Sequence, residues 1–245
     1  MIAGSVAAGV SYGGHGPLVL DAFGTTAGFA IDQVHLEGQR ETSESAILAA
    51  LGIGPDSSLL TVDADAARAN LVALPWIANA TVRKTFPGTV VVKIEEKTPA
   101  AIWQHGRQIA VVDDNGDVLS DRLDPRFVDL PLVVGAEANQ HLDDILGLLS
   151  DFPEIAVQTR AAVFVGSRRW DLVLANGIQV RLPADNARTA LAVLIEIDGR
   201  EDLFTRDVAS IDVRLPDRIA ILPTDGALER AKEGGSGKGR REASI

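Results

Sequence analysis

The first part of the chain, residues 27–97, switches between the apolar spacing of strands and that of helices. Residues 29–36 alternate apolar and polar side chains, which predicts a strand that ends at Gly38. Two short helices are predicted next, because Thr42 and Asp63 are favourable N-caps and apolar residues follow each of them at helical spacing.

Two strands complete this unit. Residues 77–84 are a strand candidate, residues 89–96 (TVVVKIEE) are rich in β-branched side chains, and Pro87-Gly88 between them predicts a turn. The order is therefore strand, helix, helix, strand, strand. It predicts a compact α+β unit in which the last two strands form a hairpin and helices cover one face.

Residues 98–226 consist mainly of short alternating segments separated by turn residues. Asn176-Gly177 lies between two segments that alternate strictly, so a tight hairpin is predicted there. Two amphipathic segments, near residues 142–152 and 186–197, predict helices. We therefore expect a mixed, mainly antiparallel β domain with two helices.

Residues 210–222 predict a final pair of strands. A three-residue loop, residues 216–218, sets Val213 opposite Ile221 and gathers the apolar side chains on one buried face, whereas a two-residue turn mixes polar and apolar side chains. That face comprises Ile211, Val213, Leu215, Ile219 and Ile221. The last strand is expected at a sheet edge with unpaired backbone groups, so proline at Ala220 is expected to remove a free donor. The alternative is an interior strand with a structural role only.

The two ends of the chain differ from the rest in composition. Residues 1–12 carry no charge, residues 13–28 are rich in Gly, Ala and Thr, and the first basic residue is Arg40, which argues against a secretory signal. Residues 1–26 are predicted to be the outer end of a transmembrane helix whose beginning is missing, followed by a linker; an unstructured apolar N-terminus is the alternative. Residues 227–245 end in GGSGKGRREASI and predict a flexible tail.

Charge and composition narrow the function class. The 245 residues include 34 acidic and 23 basic side chains, a net charge of −11, which disfavours nucleic acid as the main partner because phosphate binding requires clustered Lys and Arg. The sequence has no Cys, which excludes disulfide scaffolds, thiolate metal sites and Cys nucleophiles.

No set of residues in the sequence forms a catalytic, metal or cofactor motif. The four histidines lie far apart, and the acidic run at residues 113–117 has Gly at position four, where a calcium loop has it at position six. The Gly-rich run at residues 234–239 lacks the spacing of a phosphate-binding loop and the Ser or Thr after its Lys. We therefore expect no enzyme activity, no metal or cofactor and no small-molecule substrate.

Several ordered motifs resemble one protein family. Residues 82–103 (VRKTFPGTVVVKIEEKTPAAIW) resemble the end of the POTRA domain and the start of the β domain in the FtsQ/DivIB family of bacterial cell division proteins. Residues 31–38 resemble the opening POTRA strand of that family. Residues 111–119 and 130–135 resemble two of its β-domain signatures, and residues 211–215 resemble its penultimate strand. The resemblance covers residues 27–226.

The resemblance implies a POTRA domain at residues 27–97 followed by a β domain at residues 98–226. It also implies a non-enzymatic divisome scaffold that recruits FtsB- and FtsL-type partners and contacts other divisome components at the septum. The scaffold would have a single span in the bacterial cell inner membrane and most of its chain in the periplasm. The alternative is a POTRA-type periplasmic chaperone or export module, which is disfavoured because such proteins carry several POTRA units and many barrel strands.

The resemblance further implies that the last strand receives an FtsB strand by β-augmentation. The candidate partner-binding residues are then Leu215, Arg218, Ile219, Ala220, Ile221 and Leu222. The POTRA unit also carries a basic cluster within an acidic chain, formed by Arg83, Lys84, Lys93 and Lys97. This cluster is either a solvated sheet edge or a recruitment face for an acidic partner.

Overall fold

The computed structural model of the chain describes residues 28–54 and 57–236, the last six of them by their backbone alone. The chain divides into two compact units, one ending at Thr98 and the other beginning at Pro99. The sequence places this boundary one residue earlier. The predicted membrane-span remnant and linker, residues 1–26, lie outside the described residues, and so does the end of the predicted tail, residues 237–245.

The first unit has the element order that the sequence predicts. Its elements are β1 (Gln33–Glu37), α1 (Glu44–Leu51), α2 (Ala64–Val72), β2 (Ile77–Thr85) and β3 (Thr89–Glu96). The sheet order is β1-β3-β2, with β1 parallel to β3 and β2 antiparallel to it. The buried side chains of both helices share one core cluster with β3, so the α+β fold is confirmed.

The start of α1 corrects one prediction. The N-cap is Ser43, whose hydroxyl accepts the Ala46 N–H at 3.2 Å, and not Thr42. The reason is that the N–H of Thr42 donates to the Glu96 carboxylate at 2.8 Å, which ties Thr42 to the end of β3 and leaves its neighbour to begin the helix. Asp63 caps α2 as predicted.

The carboxylate of Glu96 fixes the loop that precedes α1. Besides the bond from Thr42, it accepts backbone N–H groups from Arg40 at 3.0 Å and Glu41 at 2.9 Å. Partial burial raises the pKa of Glu96, but the hydrogen bonds from Glu41, Thr42 and Arg40 outweigh it and lower the pKa below its ordinary value. The loop is therefore held by a charged group.

We expect Glu96→Gln to lower the free energy of unfolding of the first unit by about 1–2 kcal/mol, because an amide offers one acceptor oxygen in place of two charged ones. Since the folded pKa is the lower one, the contribution is fully present above the unfolded pKa of about 4.3 and is lost as the pH falls through the folded pKa. Urea unfolding at a series of pH values measures it. Glu95→Gln is the control, because Glu95 is exposed; equal pH profiles for wild type and Glu96→Gln would contradict the assignment.

The second unit is a β domain whose described strands form one nine-stranded sheet. The strands are β4 (Pro99–His105), β5 (Gln108–Asp113), β6 (Val118–Ser120), β7 (Leu132–Val134), β8 (Thr159–Val165), β9 (Arg169–Leu174), β10 (Gln179–Arg181), β11 (Val208–Asp212) and β12 (Ala220–Pro223). Their order is β12-β11-β10-β9-β8-β7-β4-β5-β6. Three neighbouring pairs are parallel (β4–β7, β7–β8 and β10–β11) and the others are antiparallel.

The helices of the second unit are α3 (Leu142–Asp151), α4 (Pro153–Ala156), α5 (Ala187–Glu201) and α6 (Asp225–Ser236). The two predicted helices correspond to α3 and α5, and their buried leucines belong to the core of the sheet. The predicted hairpin at Asn176-Gly177 joins β9 and β10. Short 3-10 turns occur at Pro125–Phe127, Ala138–His141 and Leu203–Thr205.

Helix α6 corrects the predicted flexible tail over residues 227–236. Thr224 begins the helix, because its carbonyl and its hydroxyl accept the Ala227 N–H at 3.0 and 3.3 Å. The carboxylate of Asp225 in the first turn interacts favourably with the positive end of the helix dipole. The guanidinium of Arg230 forms an ion pair with the Asp207 carboxylate at 2.5 Å. The sequence-based prediction gave too much weight to the Gly-Gly pair at residues 234–235 and too little to the helix-forming residues before it.

Candidate functional site

The final strand pair differs from the predicted register. Ile221 lies opposite Ile211, and Ala220 opposite Asp212, so the pairing is shifted by two residues from the prediction of Val213 opposite Ile221. The connection between β11 and β12 is seven residues long, 213–219, in place of three. A shift of two residues keeps every side chain on its predicted face, but it changes which residues are covered.

The chain direction after β11 explains the longer connection. The Val213 N–H donates to the carbonyl of Arg181 on β10 at 3.0 Å, so this residue still follows β10. The Asp212 carboxylate then accepts the Arg214 backbone N–H at 3.1 Å and its guanidinium at 2.6–3.0 Å. These contacts carry the chain past the point where the predicted turn would begin.

The predicted buried face is only half buried. Ile211 and Val213 are buried, but Leu215 is 55% exposed and Ile221 is 44% exposed. The prediction was wrong for these two residues because the sheet ends at β12 and no described element covers their outer side. On the opposite face of the strand, Leu222 is also 54% exposed. The edge therefore presents apolar side chains to solvent.

A groove of about 700 Å³ lies between α5 and the connection that leads into β12. Its apolar lining includes Ala190, Val193, Ile197, Val213, Ile219 and Ile221. Leu215 and Arg218 also border it, so four of the six predicted partner-binding residues come together there, whereas Ala220 and Leu222 do not line it. The groove extends the core and is left unfilled by the residues that the structure describes.

The α5 side of this groove was missed in the sequence. Val193 is 45% exposed, while the neighbouring Leu191 and Leu194 are fully buried. The segment 190–197 (ALAVLIEI) therefore carries apolar residues on more than one helical face. A second apolar stripe on an amphipathic helix predicts that a second face of the helix is buried against another element or a partner. This pattern is visible in the sequence and could have indicated the α5 side of the groove.

Among the strands that the structure describes, β12 pairs along one side only, with β11. Backbone N–H groups alternate in direction along a strand, and Val213 N–H points to β10, so Ser210 and Asp212 direct their backbone groups to β12. Their partners Leu222 and Ala220 are thereby used within the sheet, and the N–H and C=O of Ile221 point outward. Proline at Ala220 would consequently break the β11–β12 ladder, not remove a free donor as the sequence suggests.

Charges on the connection are neutralised locally. The Arg214 guanidinium hydrogen-bonds Asp212 and lowers the pKa of that carboxyl, and Arg218 does the same for Asp217, with its Nη2 at 2.8 Å from Asp217 Oδ2. The Arg214 side chain is 43% exposed and the Arg218 side chain 67% exposed. The rim of the groove therefore combines paired charges with uncovered apolar side chains.

The predicted basic cluster of the first unit does not share one face. In the β2–β3 register Arg83 lies opposite Val91 and Lys93 opposite Thr81, which places Arg83 and Lys93 on the same face of the sheet. Lys84 lies on the other face and donates to the Val62 carbonyl at 2.7 Å, and Lys93 pairs with Glu37 at 3.0 Å. Lys97 follows the end of β3. The sheet thus divides the cluster.

Family models match both units. The description "POTRA domain, FtsQ-type" matches residues 29–97, and "Cell division protein FtsQ/DivIB, C-terminal" matches residues 101–214. The chain belongs to the FtsQ/DivIB family of cell division proteins. The C-terminal match of this FtsQ/DivIB chain stops before β12, so the edge strand lies outside it.

Curated relatives support the same assignment. The chain is 41% identical over 222 residues to the cell division protein FtsQ of Agrobacterium fabrum, covering 91% of this chain and 70% of the relative. It is 40% identical to FtsQ of Bradyrhizobium diazoefficiens, covering 91% and 65%, and 42% identical to FtsQ of Rhizobium radiobacter, covering 78% and 90%. Within the described ranges, none of the helices has the length and apolar character of a membrane span.

Proposed function

We propose that this FtsQ/DivIB chain is a non-enzymatic scaffold of the division machinery that holds an FtsB-like partner on β12 by β-augmentation. One observation carries the proposal: β12 ends the sheet with the backbone of Ile221 directed outward beside an unfilled apolar groove. An extended partner segment paired with β12 would gain main-chain hydrogen bonds from Ile221, while alternate side chains enter the groove.

The chemistry of the edge specifies the partner segment. Its side chain next to Ile221 faces the groove and should be large and apolar, because it completes the core that Val193 and Ile197 leave open. The exposed pair Asp217–Arg218 and the half-buried pair Asp212–Arg214 flank this position, and their arginines can exchange partners with charged residues of the incoming segment. FtsL-type proteins and other divisome components would then be brought to the septum through that partner.

The proposal includes a place in the cell. Residues 1–12 are uncharged and are proposed to contribute to a single span in the bacterial cell inner membrane, with both described units in the periplasm at the division septum. The alternative of a POTRA-type chaperone or export module is not favoured by either family match. The recruitment face predicted at the basic cluster stays a prediction, now restricted to the face that carries Arg83 and Lys93.

Hydrogen exchange of the full chain tests the β12 site. Adding the periplasmic segment of an FtsB-like protein should slow amide exchange in peptides that cover Ile219–Pro223, because the outward N–H of Ile221 becomes hydrogen-bonded. Strand β6 at the opposite edge of the same sheet is the internal control and should not change. Binding with unchanged exchange at β12, or with protection at β6 alone, would contradict the proposed site.

A further inference from the structure

A second exposed apolar surface lies in the first unit, at the turn between β2 and β3. Phe86 is 58% exposed and packs edge-on against Phe29, with ring centroids 5.8 Å apart. Leu60 is 46% exposed, and the N–H of its neighbour Leu59 donates to the Phe29 carbonyl at 2.9 Å. We call Phe29, Leu60 and Phe86 the turn patch.

The turn patch lies where the described chain begins. The Asp32 N–H donates to the Gly88 carbonyl at 2.8 Å, so the turn and the entry to β1 are at the same end of the sheet. The sequence ahead of this point has no Asp, Glu, Lys or Arg in residues 1–20. Residues 13–28 join the proposed span residues, 1–12, to Phe29, and these sixteen residues can span at most about 58 Å.

We infer that the turn patch rests on the lipid surface of the membrane. The inference relies on the proposed function for one point, that residues 1–12 contribute to a membrane span. The apolar side chains of proteins that lie on a membrane, Phe and Leu among them, enter the boundary between headgroups and acyl chains, and the exposed Phe86 and Leu60 offer such a contact. The connection ends at Phe29 itself, so the patch is the part of the first unit that lies nearest along the chain to the proposed span.

Local charge makes this contact independent of anionic lipid. Arg83 and Lys84 adjoin the patch along the chain, and so do Asp32 and Asp63, which gives two charges of each sign. The Lys84 amine is also engaged by the Val62 carbonyl at 2.7 Å. The contact therefore rests on apolar side chains, and zwitterionic vesicles are sufficient to detect it.

A single fluorescent label tests the inference, since the chain has no Cys of its own. The full chain with Leu60→Cys, or in a second preparation Phe86→Cys, is labelled with an environment-sensitive dye and added to phosphatidylcholine vesicles. Val157→Cys is the matched control, because Val157 is 84% exposed in the other unit. We expect a blue shift and quenching by spin-labelled lipid at both turn positions, with several-fold less quenching at position 157.

Each other result overturns the inference in a distinct way. If the chain floats with the vesicles but the turn labels respond no more than the control, the turn does not touch lipid, while the proposed membrane attachment stands. If the turn labels are already blue-shifted without vesicles, another segment of this chain covers the patch. If the chain does not float with vesicles, both the inference and the proposed attachment fail.

Discussion

Ile221→Pro should abolish most of the affinity for an FtsB-like partner while leaving the β domain folded. The N–H of Ile221 points out of the sheet, so its removal leaves the β11–β12 ladder intact, and proline is tolerated on edge strands with that orientation. The partner loses a main-chain hydrogen bond and meets the proline ring at the pairing position. We expect Kd to rise at least about tenfold, which corresponds to a loss of about 1.4 kcal/mol of binding free energy.

Two companion variants separate backbone from side-chain effects. Ile221→Ala retains the outward donor and removes only the apolar contact, so it should weaken binding less than proline does. Ala220→Pro removes a donor that β11 uses, so it should lower the stability of the β domain itself. Titration calorimetry with a circular dichroism check on folding distinguishes these outcomes. Unchanged affinity in a folded Ile221→Pro chain would eliminate β12 as the augmented strand.

Gly38→Ala should unfold the first unit. Gly38 has φ +96°, and a Cβ at this position would stand 2.0 Å from the carbonyl oxygen of Ile94, on the neighbouring strand. That oxygen is part of the backbone and cannot rotate away, so β1 must separate from β3. The expected loss is on the order of 4 kcal/mol or more, a large share of the stability of a domain of this size.

Gly52→Ala provides the matched control for Gly38→Ala. Gly52 ends α1 with φ +65°, so it has a similar backbone requirement, but a Cβ there would meet nothing within 4 Å. Its cost should be the conformational one alone, about 1–2 kcal/mol. Hydrogen exchange reads the two units separately, and Gly38→Ala should expose amides of the first unit only. Equal stability of the two variants would show that the close approach to Ile94 is relieved elsewhere.

The sequence-based predictions that the structure confirms depend on interactions between residues close together in the sequence. The β-branched run at residues 89–96 is β3 to the residue, and Asp63 begins α2, because both depend on neighbours within one turn or one strand. The POTRA order followed from such elements and from the family motifs. The parallel pairing of β1 with β3 was not predictable from these patterns, since it joins residues more than fifty positions apart.

Errors arose where distant contacts compete with local pattern. Apolar alternation placed Leu215 and Ile221 in a buried face, but burial also requires a neighbouring element, and the sheet ends at β12. The bond from Val213 to Arg181 on β10 lengthened the connection and moved the register. The pattern of the last strand therefore predicted the residues on the β12 side of the groove. Its α5 side became apparent only in the tertiary structure.

Pro223 at the end of β12 bears on self-association. With Ile221 directed outward, the next outward residue is Pro223, which has no N–H, so the four-residue strand offers a single free donor to a neighbouring strand. Two copies meeting edge to edge would gain few main-chain bonds, and so short an edge is a poor template for aggregation. We therefore expect β12 to be a weak template for pairing between two copies of the chain, and the proposed partner to depend also on contacts in the groove.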